Sequence, residues 1–272
     1  MGEETPVHKA KKESYPDLEK LPSVRFEQMN IDEETRLFAK FMESSTWSLV
    51  FDRVYPELRV IQRETPDESE CLRKYRKFIK GIRARDEKQL VSAQEKIREE
   101  WGKVSQAFLE VLSEHFETSW PEDKDEIKGY LSVLPAYPRF LDKYSFCTGY
   151  KNIHDAIETS AHEILHFLWF KKWKEVFPEA ERKEFESPSL VWRLSEIMDQ
   201  IILQCHPKIK ELIRPSKWGY SSFKDIKIGE ISMTEHFKRA YMQSVSSGDN
   251  FETTIKKLWE EAKKHEKEIS GF

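Results

Sequence analysis

"AHEILHFLW", residues 161–169, decides how the rest of the chain is read. It sets His162 and His166 four positions apart, with Glu163 beside the first of them. The pattern from residue 152 to about 174 reads as one helix. At about 100° per residue, Ile153, Ile157, Ile164, Phe167 and Leu168 fall on one broad, core-facing side. His162 and His166 fall together on the opposite side, about 40° apart, with Thr159 and Trp169 flanking them and Glu163 at the margin. A face meant only for water would not need Trp169 and Trp173, so both sides of this helix are expected to be covered.

The spacing has a chemical reason. Two imidazoles one helical turn apart can each turn a nitrogen onto a single zinc ion at about 2.0–2.1 Å. The glutamate next to the first histidine cannot take the same ligand position. It can reach a water held by the metal and remove its proton. One Zn²⁺ per chain, held by His162 and His166 with Glu163 as general base, is therefore expected; the plain rival is three polar residues that happen to share a helix.

Composition bounds what surrounds the motif. The chain has 272 residues, with 45 basic and 49 acidic side chains and a net charge of −4. That near balance gives no reason to expect nucleic acid, which calls for a clustered basic surface. Eight tryptophans and seventeen phenylalanines argue for a packed core rather than a disordered chain. Cys71, Cys147 and Cys205 are odd in number and far apart, which suggests neither a disulfide framework nor a zinc knuckle. The first twenty residues lack the apolar core of a signal peptide, and Pro6 stands where a myristoylation signal wants Ser or Thr. No apolar run approaches the roughly 20 residues that span a bilayer. A cytoplasmic protein without a membrane partner is expected.

Around the motif the chain divides into a charged, flexible lead-in at 1–24, a helical region at 25–120 and the region that carries the motif, 121–272. "IDEETRLFAKFMESSTW" (31–47) has helical spacing, whereas "LVFDRVYPELRVIQ" (49–62) is broken by Pro56 and reads as a short strand or a loop. Residues 67–117 read as two long charged helices joined near Arg85 to Lys88, and "SWPED" (119–123) ends them. "IKGYLSVLPAYPRFLDKYSFCTGY" (127–150) looks like two short strands, at least one confined to an edge by Pro135 and Pro138. Helices are expected at about 188–205, 231–244 and 251–268. The fold class is α+β, predominantly α-helical, with a small β-sheet just before the motif helix.

"TSAHEILHFL" (159–168) resembles the extended zincin metallopeptidase pattern, in which uncharged residues surround the motif and an apolar one follows it. Ala161, Ile164, Leu165, Phe167 and Leu168 all comply. The resemblance implies a zincin-like core in which a strand at the sheet edge binds an extended peptide. The segments Tyr130 to Tyr137 or Tyr144 to Tyr150 stand where that strand belongs. A catalytic zinc also wants a third protein ligand and an open position. The Gly-x-x-His of metzincins is absent from "FLWFKKWKE". A glutamate on a following helix, the thermolysin-like gluzincin arrangement, is available in "SPSLVWRLSEIMDQIILQ" (187–204), where Ser187 and Pro188 suit a helix start. Leu190, Leu194, Ile197, Ile201 and Cys205 form that helix's main stripe, and Glu196 lies on the other side with Trp192 and Leu203. Glu196 is the expected third ligand, with Glu186, Asp199, His206 and His236 as rivals. The resemblance further implies that Asp199, three residues on, orients a zinc-bound histidine from behind. Ser195 stands where several gluzincin families have asparagine, and no exopeptidase signature is apparent. The likeness runs from Ser160 to about Gln204.

Peptide hydrolysis also needs a group for the oxyanion. Tyr220 in "KWGYSSF" and His236 and Tyr241 in "MTEHFKRAY" are available, with Tyr220 and His236 the expected pair. His154 is placed near the entrance, and Cys147 is a remote candidate for a soft ligand. Together these readings predict a zinc-dependent peptidase acting on a peptide or protein substrate. A non-peptidase metal hydrolase on the same scaffold and a non-catalytic helical binding protein are the alternatives.

Overall fold

Residues Ser23–Gln28 form β1, and Ile31–Glu43 form α1, whose start is capped by Asn30 accepting from the Asp32 amide at 2.9 Å. In this computed structural model the described residues are 20–44, 47–216 and 222–271. β1 begins inside the stretch expected to be a flexible lead-in. Its apolar residue Phe26 is fully buried, so a segment of alternating charge and apolar character is held by tertiary pairing. Two short helices, α2 (Trp47–Val54) and α3 (Glu57–Glu64), replace the strand or loop expected at 49–62; Pro56 sits at the N-terminal edge of α3, where a missing amide hydrogen costs nothing.

The two charged helices expected to join near Arg85–Lys88 are one helix, α4 (Glu68–Phe116), of 49 residues and about 74 Å. Asp67 caps its start through the Glu70 amide at 2.8 Å. Residues 85–88 contain no helix breaker, and the buried series Tyr75, Ile79, Ile82, Leu90, Ala93, Ile97 and Trp101 keeps its phase across them. The charges there are simply the outer face of a continuous helix.

The strands that follow are β2 (Glu126–Leu131), β3 (Arg139–Phe140) and β4 (Ser145–Thr148). The sheet order is β1-β2-β4-β3, with β1, β2 and β4 parallel and β3 antiparallel to β4. The two expected strands are thus three, joined by a fourth from the N-terminal region. Pro138 precedes β3, which is an edge strand, where a residue without an amide hydrogen is tolerated. Gly129 of β2 pairs with Phe26 on one side and Phe146 on the other, and a Cβ there would come within 2.6 Å of the Phe26 ring.

Four residues connect β4 to α5 (Ile153–Val176), capped by Asn152 through the Asp155 amide. Its buried residues fall all round it, from Ala156 to Trp173, as both faces of the motif helix were expected to be. α6 (Leu190–Cys205) is capped by Ser189, not Ser187, through the Trp192 amide at 3.2 Å. α7 (Pro207–Ile213), α8 (Ser222–Asp225), a two-stranded hairpin of β5 (Lys227–Ile228) and β6 (Ile231–Ser232), and α9 (Met233–Ser246) come next. α10 (Phe251–Lys264) and α11 (Glu266–Ile269) complete the chain. The architecture is α+β and mostly helical. A boundary at residue 120 does not divide it, because β1 belongs to the same sheet as β2 and α4 packs on α5 within one continuous core. No described helix is long and apolar enough to cross a membrane.

Candidate metal centre

Three elements meet at the centre. α5 supplies His162, Glu163 and His166, α6 packs against it and supplies Glu196, Asp199 and Gln200, and edge strand β3 supplies Arg139. All of these but His162 are almost wholly shielded from water, so each polar atom must find a partner within the protein.

His162 Nε2 and His166 Nε2 lie 3.2 Å apart. The Glu196 carboxylate lies 3.3 Å from each of them, through Oε2 to His162 and Oε1 to His166. Ligands bonded to one ion at about 2.0–2.1 Å in a tetrahedron stand about 3.3–3.4 Å from one another. The imidazole–imidazole edge is close to that length, each imidazole meets one of the two Glu196 oxygens at it, and two imidazoles with one carboxylate are a donor set that suits zinc. Buried atoms without a hydrogen-bond partner cluster here as well: Glu163 Oε2, His166 Nδ1 and both oxygens of Asp199. By spacing, donor type and unmet polar atoms, these residues fit a zinc ion.

Glu163 borders the group, its Oε1 3.9 Å from His162 Nε2 and its Oε2 3.9 Å from Arg139 Nη1. Burial pushes its pKa up, and the positive charges of His162, Arg139 and His166 only partly offset this. A raised value is the direction wanted in a carboxylate that must accept a proton and later return it. Glu196 goes the other way: burial alone would raise it, but the imidazoles of His166 and His162 hold it well below the ordinary carboxylate range. Burial alone would also lower His162, yet the carboxylates of Glu196, Glu163 and Asp199 outweigh it and lift the ring to about 9.

Arg139 escaped the sequence reading. Its Nη1 lies 3.0 Å from Glu196 Oε1, its guanidinium stacks 5.1 Å above the Phe170 ring, and Nη2 reaches the Phe185 carbonyl at 3.5 Å. Burial acts against its charge, and Glu196, Glu163 and Asp199 more than restore it. The only hint in the sequence was an arginine directly after a proline in an expected edge strand. Phe170 also lies parallel to His166, at 5.6 Å, so the aromatic flank of the motif forms a wall to the site. Two cavities border α5, of about 390 Å³ around Phe167, Phe170 and Phe185 and about 320 Å³ around Tyr137, Tyr150 and Thr159.

Asp199 differs from the expected arrangement. Instead of holding a histidine from behind, its Oδ2 touches His166 at Nε2, the nitrogen that faces the group, at 2.6 Å and without hydrogen-bond alignment. It lies 3.7 Å from His162 Nδ1. One turn of α6 carries Glu196 and Asp199 to the same side, so the aspartate arrives beside the ligands rather than behind them. The rear of His162 is held by Gln200, whose amide lies 2.9 Å from Nδ1. The atom in contact is the amide nitrogen, Nε2, which donates to Nδ1 and leaves the proton of a neutral ring on His162 Nε2; binding a metal through that ring nitrogen requires the amide turned over, its oxygen accepting from Nδ1–H. Nothing short of the packing of α6 on α5 would have picked out Gln200.

The other candidates lie elsewhere. His236 faces Glu261 and His265 in a separate group, away from Glu163. The Tyr241 hydroxyl is 3.4 Å from His115, and Tyr220 falls outside the described residues. Glu186 pairs with Arg182, His206 caps α7, His154 stands 4.0 Å from Glu158, and Cys147 is buried beside Met29. Neither segment expected to bind substrate is an edge: β2 is paired by β1 and β4, and β4 by β2 and β3. Comparison with protein-family models, curated proteins and solved structures finds no match to this chain.

Proposed function

We propose that the chain is a zinc-dependent metallopeptidase of the gluzincin kind, with His162, His166 and Glu196 as ligands and Glu163 as general base. The observation that carries this reading is the convergence of two imidazole nitrogens and a carboxylate from a second helix at mutual distances of 3.2–3.3 Å. Zinc, when bound, would supply an acidified water and a Lewis acid for the scissile carbonyl. Glu163 takes the proton of that water on its carboxylate and returns it to the leaving amine nitrogen as the C–N bond breaks. Gln200, with its amide turned so that the oxygen accepts from Nδ1–H, would hold His162 in the ligating tautomer, and Arg139 holds Glu196 in place across the ligand group. β3 is the edge strand nearest this centre and the natural place for an extended peptide to pair.

A second reading draws on one observation. The Arg139 guanidinium already balances Glu196 and Glu163, as in a buried ionic cluster that only pins β3, α5 and α6 together in a non-catalytic protein. The test is zinc content and cleavage of a peptide library by the wild type, Glu163→Gln and Glu196→Ala. The proposal expects about one zinc at this centre, kept in Glu163→Gln while cleavage falls by at least 10²-fold. Zinc content unchanged by Glu196→Ala, with no cleavage by the wild type, would favour the ionic cluster.

A further inference from the structure

We propose that His236, Glu261 and His265 form a second metal site, for a divalent transition ion of the zinc, nickel or copper type. It lies outside the centre described above and stands independently of that reading. His236 comes from the first turn of α9, Glu261 from the last turn of α10, and His265 from the junction between α10 and α11. Glu261 Oε2 is 3.4 Å from His236 Nε2 and 4.0 Å from His265 Nε2, and the two rings meet nearly edge to face at 4.9 Å. One ligand atom from each residue falls within 4.8 Å of the others.

Two further observations point to a ligand. His236 Nε2 is buried and makes no aligned hydrogen bond, although the Glu261 carboxylate stands 3.4 Å away and the second ring beside it. Lys264 meets the other oxygen of Glu261, Oε1, at 2.6 Å, so Oε2 is the oxygen that faces both imidazoles. That is the outer support a ligating carboxylate needs. Two imidazoles and one carboxylate select first-row transition ions over calcium or magnesium, which want an all-oxygen shell. The three side chains are 24–28% exposed, which gives an ion an entry path and leaves coordination positions for water. The spacing is wider than the about 3.3–3.4 Å of a tetrahedral zinc, 3.4 and 4.0 Å from the carboxylate to the two rings and within 4.8 Å among all three ligand atoms, so binding draws His265 inward. An ion here would clip α9 to the α10–α11 joint, and all three of these helices pack on α6.

The experiment is calorimetric titration of zinc into the EDTA-stripped full chain, as wild type, His236→Ala, His265→Ala and His162→Ala. Loss of one zinc equivalent in His236→Ala and in His265→Ala, with that equivalent retained in His162→Ala, is expected. Zinc should also raise the melting temperature of His162→Ala and lose that contribution in His236→Ala. Equal stoichiometry in wild type, His236→Ala and His265→Ala overturns the second site. A wild type that binds no zinc overturns it too. Failure of the first centre is read separately, as no loss in His162→Ala. The substituted side chains of His236 and His265 are partly exposed, so both variants are expected to fold, which circular dichroism checks.

Discussion

Arg139 is a buried cation whose partners are the residues a metal would claim. Replacing it by Met removes the charge, keeps much of the volume, and leaves Glu163 and Glu196 facing each other without it. Removing one member of a buried ionic group costs roughly 3–5 kcal/mol. In EDTA, Arg139→Met should lose about that much stability in urea melts, and saturating zinc should stabilise the variant more than it stabilises the wild type. An equal zinc effect on both would mean that arginine and metal do not share those carboxylates. A second residue-level prediction concerns His115, half-buried among Phe116, His206, Tyr241 and Phe251. Burial, reinforced by His206, pulls its pKa down to about 3. The unfolded chain takes up this proton near the ordinary histidine value of about 6.5, before the folded chain does. The ring's neutral burial is therefore free of cost above about pH 6.5, and stability is lost as pH falls from there toward 3, by at most about 1.4 kcal/mol per pH unit. His115→Phe should flatten that stretch of the stability–pH curve relative to wild type, and an unchanged slope would refute the assignment. The ligand candidates were legible because a two-histidine spacing and a glutamate on the next helix are local patterns. Arg139 and Gln200 were not, since each matters only through an element that folding brings alongside.

Among the elements, those with strong local punctuation emerged from the sequence within a few residues. α5, α6, α9 and α10 each carry an apolar period and a side chain that caps the first turn: Asn152, Ser189, Ser232 and Asn250. α4 was split because the run from Arg85 to Lys88 looks like a connector, although what it lacks is any residue that stops a helix. The same helix contains two glycines, Gly81 and Gly102, both exposed and both with open space where a Cβ would stand. Glycine in an exposed helix interior is worse than alanine by about 0.5–1 kcal/mol, largely through the freedom it gives the unfolded chain. Gly81→Ala and Gly102→Ala should each raise the urea midpoint by a matching amount and together add nearly in full, since the sites are 21 residues apart on one helix. A loss of stability in either variant would mean that α4 bends at that glycine. β1 escaped for the opposite reason: its six residues have no capping or turn signal, and its partner lies about a hundred positions away.

At the scale of the whole molecule, the question is whether the residues around the metal candidate make a unit of their own. The sequence suggests so, with a break at "SWPED", but the packing does not. All six residues of β1 pair in register with β2, from Ser23 with Glu126 to Gln28 with Leu131. Phe26 packs edge-on against Trp101 of α4 and Phe146 of β4. Glu34 of α1 is fully buried and spends its carboxylate on both sides of the supposed boundary, accepting from Arg83 Nε at 2.7 Å, Ser132 Oγ at 2.5 Å and the Val133 amide at 2.8 Å. Trp120 donates back to the Leu109 carbonyl, and Phe116 meets Trp169 of the motif helix edge to face. A chain starting at residue 121 would open an edge on β2, strip the cover from Phe146 and Trp169, and orphan the Ser132 and Val133 donors that Glu34 serves. Residues 121–272 alone should therefore fail to show a cooperative thermal transition and should bind an exposed-hydrophobic dye such as ANS. The full chain should unfold in a single step, and co-expression of 20–120 with 121–272 should restore both the transition and any zinc bound by His162, His166 and Glu196. A fragment 121–272 that melts cooperatively by itself would place the boundary where the sequence put it and reduce α4 to an accessory.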